Sequence, residues 1–177
     1  EHVLPRQSAF VRRASFEGNR AVAHTVAANI DVVCLVHALN SPPNQRRLER
    51  ELVLAFDSGA RPVVVLTKLD LVDADEIGRS VAALEEVALG VAVYAASGTT
   101  GEGVDTLRGF ALDGKTLAFL GASGVGKSTL INALVGSDER ATAVVRAGDQ
   151  RGRHTTTAAE LVPLPNAGAR PGGWLLD

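Results

Sequence analysis

The chain has 177 residues, a length that suits one domain with its own core and a short extension. Its 18 basic and 20 acidic side chains give a formal net charge of −2, so the total charge does not favour nucleic-acid or membrane-surface binding. The single cysteine, Cys34, excludes a disulfide framework and a cysteine-rich zinc site within these residues. The longest apolar runs have the length of strands, so we expect no membrane span. We also expect no signal peptide.

Residues 1–28 show no clear periodicity and carry several arginines, and we interpret them as a linker. From Asp31 onward, short apolar runs alternate with amphipathic helical patterns, which predicts a parallel α/β sheet with helices on both faces. The predicted strands are residues 32–36, 62–66, 91–95, 116–120 and 174–176, and the predicted helices are residues 45–58, 73–89, 104–110 and 127–135.

Residues 121–128, Gly-Ala-Ser-Gly-Val-Gly-Lys-Ser, fit the phosphate-binding motif G-x-x-x-x-G-K-[ST] between a predicted strand and a predicted helix. Glycines allow backbone N–H groups to turn toward a phosphate, and the helix N-terminus favours the same anion. The full match disfavours the alternative, a glycine-rich turn without a ligand. We predict that Lys127 acts on the β- and γ-phosphates and that Ser128 binds Mg²⁺. The predicted nucleotide contacts here are Gly121, Ala122, Ser123, Gly124, Val125, Gly126, Lys127, Ser128 and Thr129.

The segment Thr67-Lys68-Leu69-Asp70 directly follows the second predicted strand. The Asp70 carboxylate is suited to accept hydrogen bonds from N1–H and the 2-amino group of guanine, whereas ATP would leave it unpaired at a cost of roughly 10³-fold in preference. The aliphatic stem of Lys68 is expected to cover the base. An isolated K-x-D is more often a helix N-cap, but a strand end in a chain with a phosphate loop favours guanine binding.

A third candidate segment, Ala95-Ala96-Ser97-Gly98, follows the next predicted strand. It is similar to the short loop with which G proteins contact guanine O6, so we predict that Ser97 and Gly98 contact the base. Alone, this segment would indicate only a turn.

The K-x-D motif precedes the phosphate loop, which is the reverse of the order in ordinary G domains. Because the termini of a G domain lie close together, such a circular permutation leaves the sheet intact. With residues 152–157, Gly-Arg-His-Thr-Thr-Thr, this order resembles the ribosome small-subunit-dependent GTPase A family (RsgA, YjeQ-type). The resemblance covers nearly the whole chain, including residues 4–6, Leu-Pro-Arg, and residues 28–31, Ala-Asn-Ile-Asp.

The resemblance implies a P-loop NTPase G domain with a mostly parallel sheet, and an enzyme that binds GTP and GDP with Mg²⁺ and hydrolyses GTP. It implies a cytoplasmic monomer that acts on the 30S subunit and its 16S rRNA late in assembly. Residues 1–28 would be a linker or the end of a preceding OB-fold domain, and residues 29–177 a permuted GTPase domain truncated at the D-x-x-G aspartate. We therefore expect the chain to be the middle of a larger protein, with zinc held only in a C-terminal domain outside it.

Residues 137–157 correspond in the resemblance to the first switch loop. We favour Thr156 as a Mg²⁺ ligand, with Thr155 as the alternative, although a threonine triplet alone would indicate a strand edge. His154 would orient the attacking water or sense the nucleotide, and a surface histidine on a loop is an equal alternative. The arginines of this loop would contact rRNA, the transition-state phosphates or only solvent; they are Arg146, Arg151 and Arg153.

Two positions remain in the site that the resemblance implies. Asp177 would hold Mg²⁺ through a water molecule. Thr67 stands where the family often has asparagine, and we expect the loss of one hydrogen-bonding arm to weaken affinity while Asp70 sets specificity. The leading hypothesis is a ribosome-activated GTPase, and the alternative is a nucleotide-dependent RNA-binding module with little intrinsic hydrolysis. Asp70 disfavours an ATPase or kinase.

Overall fold

The computed structural model describes residues 5–13, 23–136 and 161–176. These residues form eight strands, four α-helices and one 3₁₀ turn. In chain order they are β1 (Ala9–Arg13), β2 (Ala23–Ala28), β3 (Val32–Ala38), α1 (Gln45–Ser58), β4 (Arg61–Thr67), the 3₁₀ turn (Leu69–Leu71), α2 (Ala74–Glu85), β5 (Val93–Ala95), α3 (Val104–Gly109), β6 (Thr116–Gly121), α4 (Lys127–Val135), β7 (Leu161–Pro163) and β8 (Trp174–Leu176).

The main sheet has six strands in the order β5-β4-β3-β6-β8-β7. All neighbouring pairs are parallel except β7 and β8, which are antiparallel. Helices α3 and α4 pack on one face, where Cys34 and Val36 of β3 are buried, and α1 and α2 pack on the other, against Val33 and Leu35. Burial on both faces explains the continuous apolar runs of β3 and β4. The predicted mostly parallel sheet with helices on both faces is confirmed.

The predicted bounds of α1 are also confirmed. The Asn44 side chain accepts a hydrogen bond from the backbone N–H of Arg47 at 3.0 Å, and Gly59 ends the helix with a φ of 81°. Helix α2 is shorter than predicted. Asp73 caps its start, but the helix ends at Glu85, four residues before the predicted end. Ala88 is buried in the turns that follow, so the apolar pattern continues beyond the end of the helix.

Residues 1–28 contain two strands that the sequence pattern does not predict, since it shows no clear periodicity there. Strands β1 and β2 pair antiparallel in a separate two-stranded sheet, with an irregular register between Phe10 and Val11. Phe10 and Ala27 pack against the core on the α1 and α2 side, and the Ser8 hydroxyl donates to the Ile30 carbonyl at 2.7 Å. Among the described residues, every helix is too short or too polar to cross a membrane.

Candidate nucleotide site

Three loops meet at the edge of the main sheet where its parallel strands have their carboxyl ends. The phosphate loop follows β6, the K-x-D motif follows β4, and the segment containing Ser97 and Gly98 follows β5. Ligands of open α/β sheets bind at this edge. The fold therefore brings together the predicted nucleotide contacts that come from three separate parts of the sequence.

The glycines of the phosphate loop are required by its backbone path. Gly124 and Gly126 have φ angles of 78° and 95°, which side chains disfavour. A Cβ at Gly121 would lie 2.6 Å from the Val36 carbonyl oxygen. No described side chain caps α4, whose N-cap is Gly126, so its first N–H groups remain suited to an anion.

Lys127 holds the start of the phosphate loop. Its ammonium donates to the backbone carbonyl oxygens of Gly121 at 2.9 Å and Ala122 at 2.7 Å. Ser128 and Thr129 are exposed on the first turn of α4. The other two predicted Mg²⁺ ligands, Thr156 and Asp177, and the predicted catalytic His154 lie outside the described residues. The same holds for Thr155, Arg146, Arg151 and Arg153.

Thr67 connects the K-x-D motif to the phosphate loop. Its side chain is 2% exposed, and its hydroxyl is hydrogen-bonded to the backbone carbonyl of Val125. The carbonyl oxygen of His37 lies 3.2 Å from the same hydroxyl. The family often has asparagine at this position. In this chain the Thr67 hydroxyl binds the backbone of the phosphate loop instead. The sequence gives no local signal for this contact, because Thr67 ends β4, Val125 lies in the loop after β6, and β3 lies between these two strands.

Replacing Thr67 by valine tests this connection. Valine keeps the branched shape but removes the hydroxyl, so we expect GDP and GTP to bind more weakly by the same factor, roughly 3- to 10-fold for one lost hydrogen bond. Isothermal titration with both nucleotides measures the effect. Thr106→Val, at an exposed position of α3, is the matched control. Unchanged affinity for both nucleotides in Thr67→Val would show that the contact does not support binding.

Asp70 and Ser97 form the second part of the site. The Ser97 hydroxyl donates to Oδ1 of Asp70 at 2.5 Å and accepts backbone N–H bonds from Thr99 and Thr100. Ser97 is fully buried, whereas Asp70 is exposed in the 3₁₀ turn. The serine therefore orients a carboxylate that stays accessible to a ligand. The sequence pattern predicts that Ser97 contacts the base and gives no indication that it positions Asp70.

The predicted base-binding motifs pack directly against the predicted phosphate loop and the first turn of α4. Lys68 has a left-handed backbone with a φ of 62°, and its Cε atom lies 4.0 Å from the position of a Cβ built on Gly126. A Cβ on Gly98 would lie 2.7 Å from the carbonyl oxygen of Thr129. Gly98 is thus required for the approach of its loop to α4. The three loops form one continuous surface.

A buried charged network lies behind this surface. The His37 ring and the Glu51 carboxylate are 3.0 Å apart, and the Arg47 guanidinium donates to Glu51 at 2.8 Å. Burial raises the pKa of Glu51, but the hydrogen bonds from His37 and Arg47 outweigh it and hold the pKa below its ordinary value. Because the His37 carbonyl oxygen lies beside Thr67, the network stabilises the strand end next to the phosphate loop. The feature of the sequence that indicates this network is the position of Glu51 on the buried face of α1.

The lowered pKa of Glu51 predicts a specific pH dependence. The ionised carboxylate stabilises the fold above its ordinary pKa of about 4.3, and this contribution is lost as the pH falls through the lower folded-state value. We expect Glu51→Gln to lower the free energy of unfolding at neutral pH by about 1–3 kcal/mol. The variant should then lose less stability than the parent below about pH 5.

Urea unfolding at neutral and acidic pH measures both effects. Glu49→Gln, an exposed position on the same helix, should keep the pH dependence of the parent. An identical acid-induced loss in Glu51→Gln and the parent would contradict the predicted role.

Comparison with known proteins agrees with this geometry. The family model described as RsgA GTPase matches residues 3–177. The chain belongs to the RsgA GTPase family. The resemblance predicted from the order of the motifs is therefore confirmed, and with it a family that binds guanine nucleotides.

Two relatives in this family carry similar names. The Small ribosomal subunit biogenesis GTPase RsgA 2 of Lactiplantibacillus plantarum is 46% identical over 165 residues, which are 93% of this chain and 46% of the relative. The Small ribosomal subunit biogenesis GTPase RsgA of Streptomyces avermitilis is 46% identical over 166 residues, 93% of this chain and 44% of the relative. The chain thus spans about half the length of these relatives.

Solved structures show the same fold. YjeQ from Thermotoga maritima matches with a TM-score of 0.66 and 30% identity, covering 100% of this chain and 53% of that chain. YloQ, described as a circularly permuted GTPase, matches with a TM-score of 0.58 and 22% identity, over 99% of this chain and 57% of that one. At that identity the second match supports the fold alone.

Proposed function

We propose that this chain is the GTP-binding and GTP-hydrolysing part of a protein that acts in late maturation of the 30S ribosomal subunit. The observation that carries the proposal is the Asp70 carboxylate, exposed and oriented by Ser97, at the same sheet edge as the phosphate loop. This arrangement suits a ligand that has both a guanine base and a chain of phosphates. The names of the two relatives support the ribosomal role.

In this proposal, separate groups of residues would bind separate parts of GTP. Lys127 and the N-terminus of α4 would bind the β- and γ-phosphates, while Asp70 would accept from N1–H and the 2-amino group of guanine. Lys68 would cover the base. Ser128 would bind Mg²⁺ together with Thr156 and Asp177, and the metal when bound would neutralise phosphate charge. His154 would orient the attacking water, so hydrolysis would depend on positioning and charge neutralisation.

The domain organisation and the cellular setting belong to the same proposal. Residues 29–177 would form the permuted GTPase domain, and residues 1–28 would lead from an OB-fold domain, with β1 and β2 packed on the GTPase core. Zinc would be held in a C-terminal domain of the longer protein. The protein would work in the cytoplasm as a monomer that contacts 16S rRNA within the 30S subunit.

Multiple-turnover phosphate release from GTP, measured with and without purified 30S subunits, tests the proposal. The protein at its full natural length should be used, and we expect a slow rate that rises when subunits are added. A rate that is flat across subunit concentrations would contradict ribosome activation. If the protein binds the subunit in a nucleotide-dependent way without hydrolysis, the RNA-binding alternative replaces it.

A further inference from the structure

An apolar groove lies between α1 and the turns that follow α2, with a volume of about 320 Å³. Both helices run from the nucleotide edge of the sheet toward the opposite edge, because each connects the end of one parallel strand to the start of the next. The groove is formed by residues 49–56 of α1 and by residues 86–89 after the end of α2, and none of its lining residues belongs to the three nucleotide loops. Its lining includes Glu49, Val53, Phe56, Glu86, Val87 and Leu89.

Large apolar side chains in this groove are exposed to solvent. Val53 is 67% exposed, Phe56 51% and Leu89 78%. Single exposed apolar residues are common on soluble proteins, whereas a cluster along a groove is typical of a binding surface. The amphipathic pattern of α1 is interrupted here, since Val53 and Phe56 lie outside its buried face.

Leu89, which lines the groove, has a strained backbone conformation. Leu89 has a φ of 55°, a left-handed conformation that leucine disfavours and that glycine or asparagine adopts more easily. The next residue, Gly90, also has a positive φ, of 81°. The chain thus holds a leucine in a disfavoured backbone conformation at a position that is 78% exposed.

The charges around the groove indicate what it binds. Glu49 and Glu86 make no ion pair with any described residue, and no basic side chain is part of the lining. Arg46 lies one turn before Glu49 on α1, outside that lining. Two unpaired carboxylates beside an apolar floor attract cations and repel phosphates, so the groove is unsuited to RNA.

We propose that this groove binds a basic amphipathic segment of a protein of the small ribosomal subunit. This proposal rests on the proposed function, which supplies the assembly in which the partner is found. The apolar side of the segment packs on Val53, Phe56 and Leu89, and its lysines or arginines pair with Glu49 and Glu86. Amphipathic helices bind apolar grooves in this way, and the carboxylates select a basic one.

Site-specific photo-crosslinking with purified 30S subunits tests the proposal. A benzophenone amino acid replaces Phe56 in the protein at its full natural length, and the same amino acid at Val26, 60% exposed on β2, is the control. We expect position 56 to crosslink to a lysine- or arginine-rich peptide of a ribosomal protein, and position 26 not to. Crosslinks to rRNA only, crosslinks to a second copy, or none despite co-sedimentation with subunits would overturn it.

Leu89→Asn separates docking from a structural role. Asparagine tolerates the left-handed backbone, so the variant should be at least as stable as the parent in thermal unfolding. It should nevertheless bind 30S subunits about 10-fold more weakly, because one apolar contact is lost. Val26→Ser is the control, and unchanged subunit affinity in Leu89→Asn would overturn the proposal. If the parent itself fails to bind subunits, the proposed function fails first and the groove proposal falls with it.

Discussion

Asp70→Asn should reduce GTP affinity roughly 10³-fold and allow the protein to bind xanthosine triphosphate. Asparagine replaces one acceptor oxygen of the carboxylate by an NH₂ donor. That donor would face the N–H donors of guanine, so one hydrogen bond is lost. Xanthine has a carbonyl oxygen in place of the 2-amino group and accepts a bond from that amide. Asp70 is exposed and asparagine has nearly its size, so the fold should be unaffected.

Competition binding with GTP, xanthosine triphosphate and ATP measures the change in specificity. Asp75→Asn, an exposed aspartate on the first turn of α2, is the matched control and should bind like the parent. GTP affinity that stays the same in Asp70→Asn would contradict the assigned role of this carboxylate. Equal binding of ATP and GTP by the parent would remove the reason for assigning guanine specificity.

Lys127→Ala should weaken GTP binding about 10³-fold. The ammonium would make charge-assisted hydrogen bonds to two phosphate groups, and each such bond contributes about 1.5–3 kcal/mol. The variant also loses the bonds from Lys127 to the carbonyls of Gly121 and Ala122, so the loop itself becomes less well held. GDP, which lacks the γ-phosphate, should lose less affinity than GTP.

Titration with a slowly hydrolysed GTP analogue and with GDP separates these effects. Lys115→Ala, an exposed lysine in the turn before β6, is the control for the loss of one positive charge. If Lys127→Ala binds the analogue as tightly as the parent, the assignment of residues 121–128 as the phosphate site is contradicted.

Much of the fold follows from local patterns. The end of α1 follows from Gly59, and the phosphate loop follows from a motif set between a strand and a helix. The sequence pattern does not predict strands β1 and β2, since neither Ala-Phe-Val-Arg-Arg nor Ala-His-Thr-Val-Ala-Ala is a continuous apolar run or a strict alternation. The predicted end of α2, at residue 89, is too late. Ala88 is buried and continues the apolar pattern, but the helix ends at Glu85.

The sequence predicts which residues lie at the candidate site better than it predicts the contacts between them. Motif order identified the residues at the sheet edge, because strand ends carry them there in any parallel arrangement. The bond from Thr67 to Val125, the support of Asp70 by Ser97 and the close approach of Gly98 to Thr129 depend on the order of strands in space. That order is set by tertiary packing, which a one-dimensional pattern does not encode.

The permuted strand order also has a consequence for synthesis of the protein. The segment from β3 to β5, with the guanine motifs, is translated before β6 and its phosphate loop, although β6 lies beside β3 in the finished sheet. The amino-terminal part of a chain folds first as it emerges, so a nascent chain would hold an incomplete sheet whose inner edge at β3 is still open. A nucleotide that binds only the completed site would then stabilise the last step of co-translational folding.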